Sequence, residues 1–193
     1  MDSTNPWTVL HKDEPFTCPF FSVRSDLVAH AGGQPRAYNS IRTKMFGVAV
    51  VPVDKRGCTM LVGQYRYVLD RFTWEVPGGG ARYDRPPLDS AREELSEETG
   101  YRADHWLQLV DACVAPGTSD ELSKGFVAWG LQSGEAHPEP EEQLSRRLVP
   151  FAEALSMVLS GEISHLGSVA VLLSLHTRLV RGELPKDLEK LLG

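Results

Sequence analysis

Three cysteines in 193 residues, Cys18, Cys58 and Cys113, are too few and too scattered for a disulfide framework or a zinc cluster. They suit a reducing compartment, and a cytoplasmic protein is expected. No apolar run approaches the roughly 18 residues of a membrane span, so no membrane partner is expected. The opening MDSTNPWTVLHKDEPF lacks the apolar core of a secretory leader, and none is expected. Positive charge is scarce as well: 20 Lys and Arg stand against 26 Asp and Glu, a formal net charge of −6. That balance supplies no general basic footprint for nucleic acid. A phosphate-rich ligand would have to be met by local arginines or by metal ions. What remains, 41% hydrophobic and 24% charged residues, is ordinary for one folded domain with room for a small extra module.

Pattern and punctuation give the order of elements. The first 15 residues are polar and read as loose. Residues 20–30 and 36–43 read as strands, split by the turn AGGQP into a hairpin. FGVAVVPV (46–53) reads as a buried strand. DKRG is a turn, CTMLVGQYRYV (58–68) an antiparallel neighbour, and TWEVP (73–77) a short strand that ends in glycines. A helix is predicted over Pro87–Thr99, with proline in its first turn, Gly100 as its cap, and an apolar stripe of Leu88, Ala91 and Leu95. Then come a strand over 105–115, the loop PGTSDELSKG, the strand FVAWGL, an acidic loop GEAHPEPEEQ, and the short strand LSRRLVP. Helices over 151–161 and 168–182 follow. Strands, helix, strands, helices make an α+β fold with a mixed sheet rather than a βαβ repeat.

From Asp84 to Glu98 six acids fall within fifteen positions, yet no lysine occurs between Arg56 and Ser123. Glu94, Glu97 and Glu98 are spaced i, i+3, i+4 and share one helix face, expected to lie opposite the apolar stripe. A solvated acidic face is the ordinary reading of such a run. A hard divalent cation is the other, because Mg²⁺ or Mn²⁺ takes carboxylate oxygens and bridges to phosphates.

The flanks decide between them. The segment from Gly79 to Tyr101 resembles the Nudix box, G-x5-E-x7-R-E-U-x-E-E-x-G-U, with U aliphatic. Gly79 takes the first place, Glu94 the acid of the RE pair, Leu95 the first U, Glu97 and Glu98 the EE pair, Gly100 the last glycine and Tyr101, a tolerated variant, the final U. The resemblance implies a Nudix α/β/α sandwich and Mg²⁺-dependent hydrolysis of a nucleoside diphosphate linked to another moiety. It implies Glu94 and Glu98 as the main metal ligands, Glu97 in support, and the Gly78 carbonyl as a further oxygen. The glycines are expected to turn the chain tightly beside the ion and phosphates. Two positions depart from the pattern: Arg85 replaces the early acid and Glu93 the basic residue. Either the two exchange signs and keep a salt bridge, or Arg92 supplies the basic part, or the bridge is absent.

Beyond the box, Pro116-Gly117-Thr118-Ser119-Asp120-Glu121 resembles the PG-x-S-x-E loop of the ADP-ribose pyrophosphatase branch. That similarity makes Glu121 the leading general base and an extra metal ligand, with Asp120 as its stand-in. On its own, PGTSDE would read as a polar turn. QYR and WE-x-P-x-G also resemble that branch, so Arg66 is expected to face the diphosphate, or else to be a strand arginine paired with Glu75. Glu75 is read as orienting substrate rather than binding metal. Arg42 is a candidate phosphate contact, and Tyr38, Phe21 and Trp7 are candidates to stack a nucleobase. His30, His105, His137, His165 and His176 have no metal spacing and read as structural or surface residues. The branch further implies a division into residues 1–44, an antiparallel β module that makes a homodimer, and residues 45–193, the hydrolase domain.

The expected reaction is therefore cleavage of ADP-ribose or a related nucleoside diphosphate sugar. Rival readings are a hydrolase of GDP- or UDP-sugars or of NADH-type dinucleotides, and a silent domain that only binds a nucleotide sugar. The PGGG of Pro77–Gly80, where the branch usually has PAG, keeps the sugar open.

Overall fold

Of the first 15 residues, expected to be loose, Trp7–His11 already form a strand. In the computed structural model, which describes residues 4–136 and 143–193, β1 (Trp7–His11), β2 (Phe16–Thr17), β3 (Phe21–His30) and β4 (Arg36–Thr43) form one antiparallel sheet. β4 pairs along β3 from Phe21 to Val28, while β1 and β2 pair with its two ends. Trp7 and Val9 have strand-forming side chains, but five residues are too few for a visible alternation. Pairing with β3 supplies the order instead. The predicted hairpin is present, and Gly32 takes φ 76° in its turn.

The second sheet begins at once. It comprises β5 (Met45–Val53), β6 (Cys58–Arg66), β7 (Arg71–Glu75), β8 (Gly78–Arg82), β9 (Tyr101–Cys113), β10 (Leu122–Ser133) and β11 (Ser145–Pro150). The order is β11-β6-β5-β10-β9, with β7 paired to β6 and β8 to β5. β10 runs parallel to β5 and antiparallel to β9, so the sheet is mixed. Of the predicted acidic loop, residues 137–142 lie outside the described residues.

Side-chain alternation along β5 and β10 sets the layers. Val48, Val50, Phe126 and Ala128 face α1 (Pro87–Thr99), where they meet Ala91 and Leu95. Ala49, Val51, Val53, Val127 and Trp129 point the other way. They pack under α2 (Phe151–Ser160), α3 (Leu166–Val180) and α4 (Lys186–Leu192). The result is the expected α/β/α sandwich. Burying Leu95 completely contributes about 1.5–3 kcal/mol, enough to fix α1 on the sheet. The helix ends where Gly100 adopts φ 75° and its amide bonds Ser96 O at 2.8 Å. α4 escaped the pattern reading because it is so short. Its place is held by fully buried Leu188 and by Asp187, which accepts the Trp129 indole N–H at 2.6 Å.

Candidate active site

β8 is the correction that matters most. The glycines do not form a tight turn; Gly78–Arg82 is a strand paired with Met45–Ala49. None of Gly78, Gly79 and Gly80 has positive φ. Their smallness serves close approach. A Cβ on Gly78 would lie 2.1 Å from the Val48 carbonyl oxygen, and one on Gly79 would lie 2.3 Å from Glu94 Oε1. The chain thus presses a bare backbone against the acidic helix.

The expectation that the three glutamates lie opposite the apolar stripe also needs correcting. Seven residues make almost two helical turns, so Glu98 sits nearly over Ala91 and beside Leu95. It is 2% exposed, and its Oε2 accepts the Gly78 amide at 2.7 Å. Glu94 and Glu97 are half-buried next to it. Arg146 donates to the Glu98 carbonyl and ties down the last turn of α1. Arg85 and Glu93 form the sign-inverted ion pair, while Arg92 turns to Asp89 at 3.3 Å. The connection from β8 to α1 is thereby clamped to the helix it precedes.

These donors suit a hard divalent cation in kind. Carboxylate oxygens crowd beside a backbone with no side chains to fill the space. Among the described residues, no three His, Cys, Asp or Glu side chains are drawn together as a finished cluster.

A cavity of about 700 Å³ opens beside β8 and is lined by Gly78–Gly80, Arg66, Glu75, Glu121 and His165, with Phe21 at its N-terminal side. Glu121 reaches it from the loop between β9 and β10. Its amide bonds Ser119 Oγ at 3.0 Å, and its carbonyl accepts from Val114 at 2.9 Å. Arg42 and Tyr38 stand apart from this cavity. They line an adjoining one of about 290 Å³ with Trp7 and the residues 116–120. Tyr38 donates its hydroxyl to Gly117 O at 2.9 Å, and its ring meets Trp7 edge-on at 5.6 Å. Arg42 is paired with Asp120 at 2.9 Å. The Thr43 amide reaches the other Asp120 oxygen at 2.8 Å, and the Ile41 amide reaches Thr118 O at 2.8 Å. Partial burial alone would raise the Asp120 pKa, but the Thr43 amide and the Arg42 guanidinium hold it below the usual carboxylate range. Asp120 is therefore a tether between the loop and β4, and a weak proton acceptor.

Arg66 donates from Nε and Nη2 to the two oxygens of Glu75, at 2.8 and 2.6 Å. Thr73 adds a third bond at 2.8 Å. Burial pushes the Glu75 carboxyl up, but its bonds from Arg66, the nearby His165 ring and Thr73 together outweigh that and keep it low. Of the two readings of Arg66, the pairing with Glu75 is present, and the guanidinium still lines the cavity. His165, read from sequence as structural or surface, turns out to be part of the same wall, 3.3 Å from Glu75. No local spacing could signal it, because its neighbours Glu75 and Val76 come from a remote part of the chain.

Residues 43–167 match the family model described as NUDIX domain. The chain is 38% identical over 165 residues to the ADP-ribose pyrophosphatase of Mycobacterium tuberculosis, covering 83% of this chain and 78% of that protein. It is 33% identical over 118 residues to the ADP-ribose pyrophosphatase of Bacillus subtilis, covering 60% and 64%. A crystal structure described as an ADP compounds hydrolase superposes with a TM-score of 0.84 at 20% identity, over 95% of this chain and all of that one. The clamped glycine strand, the acidic helix and the match over most of the chain agree: this protein belongs to the NUDIX family.

Proposed function

We propose that the protein is an Mg²⁺-dependent pyrophosphohydrolase, with Mn²⁺ as a substitute, that cleaves ADP-ribose or a related nucleoside diphosphate sugar. Water and substrate give a nucleoside monophosphate and a sugar phosphate. The observation that carries this reading is that β8 lines one cavity together with Glu121 while its glycine backbone packs against Glu94 and Glu98 of α1. Glu94 and Glu98, with the Gly78 carbonyl, Glu121 and supporting Glu97, would hold the metal. Once bound, it offsets diphosphate charge and makes a water easier to deprotonate. Glu121 takes the proton from the attacking water. Arg66, oriented by Glu75, faces the diphosphate with its fork of donors. Tyr38, Trp7 and Arg42 receive the nucleoside end in the adjoining cavity. Residues 1–44 form a homodimer module, which the exposed Val9, Leu10, Phe16 and Phe20 favour. Residues 45–193 form the hydrolase domain. Three free cysteines support a cytoplasmic location, and no helix among the described residues is long and apolar enough to cross a membrane.

The test is a substrate panel with Mg²⁺, read as phosphate released after coupling to a phosphatase. ADP-ribose should be turned over best, and Glu98→Gln should lower the rate by about 100-fold or more. Strong GDP-mannose turnover with none of ADP-ribose would reverse the substrate order. Equal inactivity of wild type and Glu98→Gln on every substrate would leave a nucleotide-sugar binding domain.

A further inference from the structure

The proposed reaction makes no use of His165, yet its ring stands on the wall that the main cavity shares with a neighbouring one of about 540 Å³ beneath the turn between β6 and β7. Arg66 and Glu75 belong to the same shared wall. The Nδ1 side of the ring is held by two groups that cannot turn away. Glu75 Oε2 lies 3.3 Å from Nδ1 and Ser168 Oγ lies 3.1 Å from it. Glu75 is 4% exposed and already bound by Arg66 and Thr73. Ser168 is fully buried, and its oxygen accepts the Val76 amide at 3.1 Å. A carboxylate can only accept, so the contact with Glu75 favours a hydrogen on Nδ1.

The other side of the ring is different. Nε2 has no hydrogen-bond partner among the described residues, and about half of the side chain is exposed. Gly167 makes room for this pose, since a Cβ there would come 3.0 Å from the ring Cε1. The charged groups around the ring are Glu75 from β7, Arg66 from β6, Arg71, which bonds the adjacent Ser164, and Glu121 across the cavity. Arg66 and Arg71 balance Glu75 and Glu121, so a protonated His165 would leave one net positive charge around the ring.

We infer that His165 is a substrate-binding residue: as an imidazolium tied to Glu75, it donates from Nε2 to a non-bridging oxygen of the bound diphosphate, on the Arg66 side of the cavity. This rests on a diphosphate being the ligand. A diphosphate entering beside the ring favours the protonated form, whose second N–H is the donor the ligand needs.

Two measurements on the full chain test it. The first is nitrogen-15 NMR of the histidine rings during titration with inorganic pyrophosphate, with and without Mg²⁺. The Nε2 signal that disappears in His165→Asn should shift. The second is steady-state kinetics with ADP-ribose. The amide of His165→Asn can still reach Ser168 and Glu75, so a merely structural histidine would be replaced without effect. A lost contact to a charged ligand instead raises KM about tenfold with kcat within about threefold. A ring silent to pyrophosphate in both conditions, or a wild-type KM in His165→Asn, overturns the inference. If ADP-ribose is not turned over at all, the substrate reading fails, but the pyrophosphate titration still decides the role of His165.

Discussion

Glu75 concentrates the balance of forces at the site in one side chain. Burial opposes its charge; Arg66, His165 and Thr73 together favour it more strongly, so its folded pKa lies below the ordinary value of 4.5. A depressed carboxylate stabilises the fold above its unfolded pKa, and that contribution drains away as pH falls through the lower folded value. Glu75→Gln should therefore cost about 1.5–3 kcal/mol near neutral pH, the scale of hydrogen bonds to a charged group. The gap between variant and wild type should narrow near pH 3. Urea midpoints at the two pH values measure this, and a constant gap would mean that Glu75 contributes by shape alone. At this scale the sequence was legible only where neighbours are local. Glu94, Glu97, Glu98 and Glu121 stand in short motifs, and the proposed chemistry rests on that spacing. His165 does not, because only folding brings it to Glu75.

Where β8 meets α1, two adjacent glycines face different obstacles, and alanine should tell them apart. At Gly78 the added Cβ would strike the Val48 backbone oxygen at 2.1 Å, which nothing but a shift of the strand can relieve. Gly78→Ala should destabilise the protein by about 1–3 kcal/mol or more. At Gly79 the obstacle is the Glu94 carboxylate, the far end of a flexible side chain rather than backbone. Gly79→Ala should leave the urea midpoint within about 1 kcal/mol of wild type, yet lower kcat/KM at least tenfold by turning that carboxylate out of place. Equal stability losses in the two variants would contradict the assignment. The helix here was readable because Pro87 opens it and Gly100 closes it. β8 was not, because three glycines read as a turn, and only the register against Met45–Ala49 keeps them extended.

Across the whole molecule, the two sheets are joined at the loop that carries Glu121. The order of most elements along the chain followed from alternation and turn residues. The joining did not, since Tyr38, Ile41, Arg42 and Thr43 find Gly117, Thr118 and Asp120 only through the tertiary fold. The same lack of local signal hid β1, which gains its order from β3. Asp120 is the central knot, bonded to both Arg42 and Thr43. If it tethers the loop, then a neutral amide that still accepts from Thr43 should largely replace it, whereas a methyl group should not. Asp120→Asn should keep kcat within about threefold of wild type, while Asp120→Ala should lower it about tenfold or more by releasing Glu121 from its position. A proton acceptor would respond differently, because asparagine cannot take a proton and would fail as badly as alanine. Equal loss of kcat in the two variants, measured on the best substrate of the panel, would return Asp120 to the role of base and leave the coupling of the two sheets without a catalytic purpose.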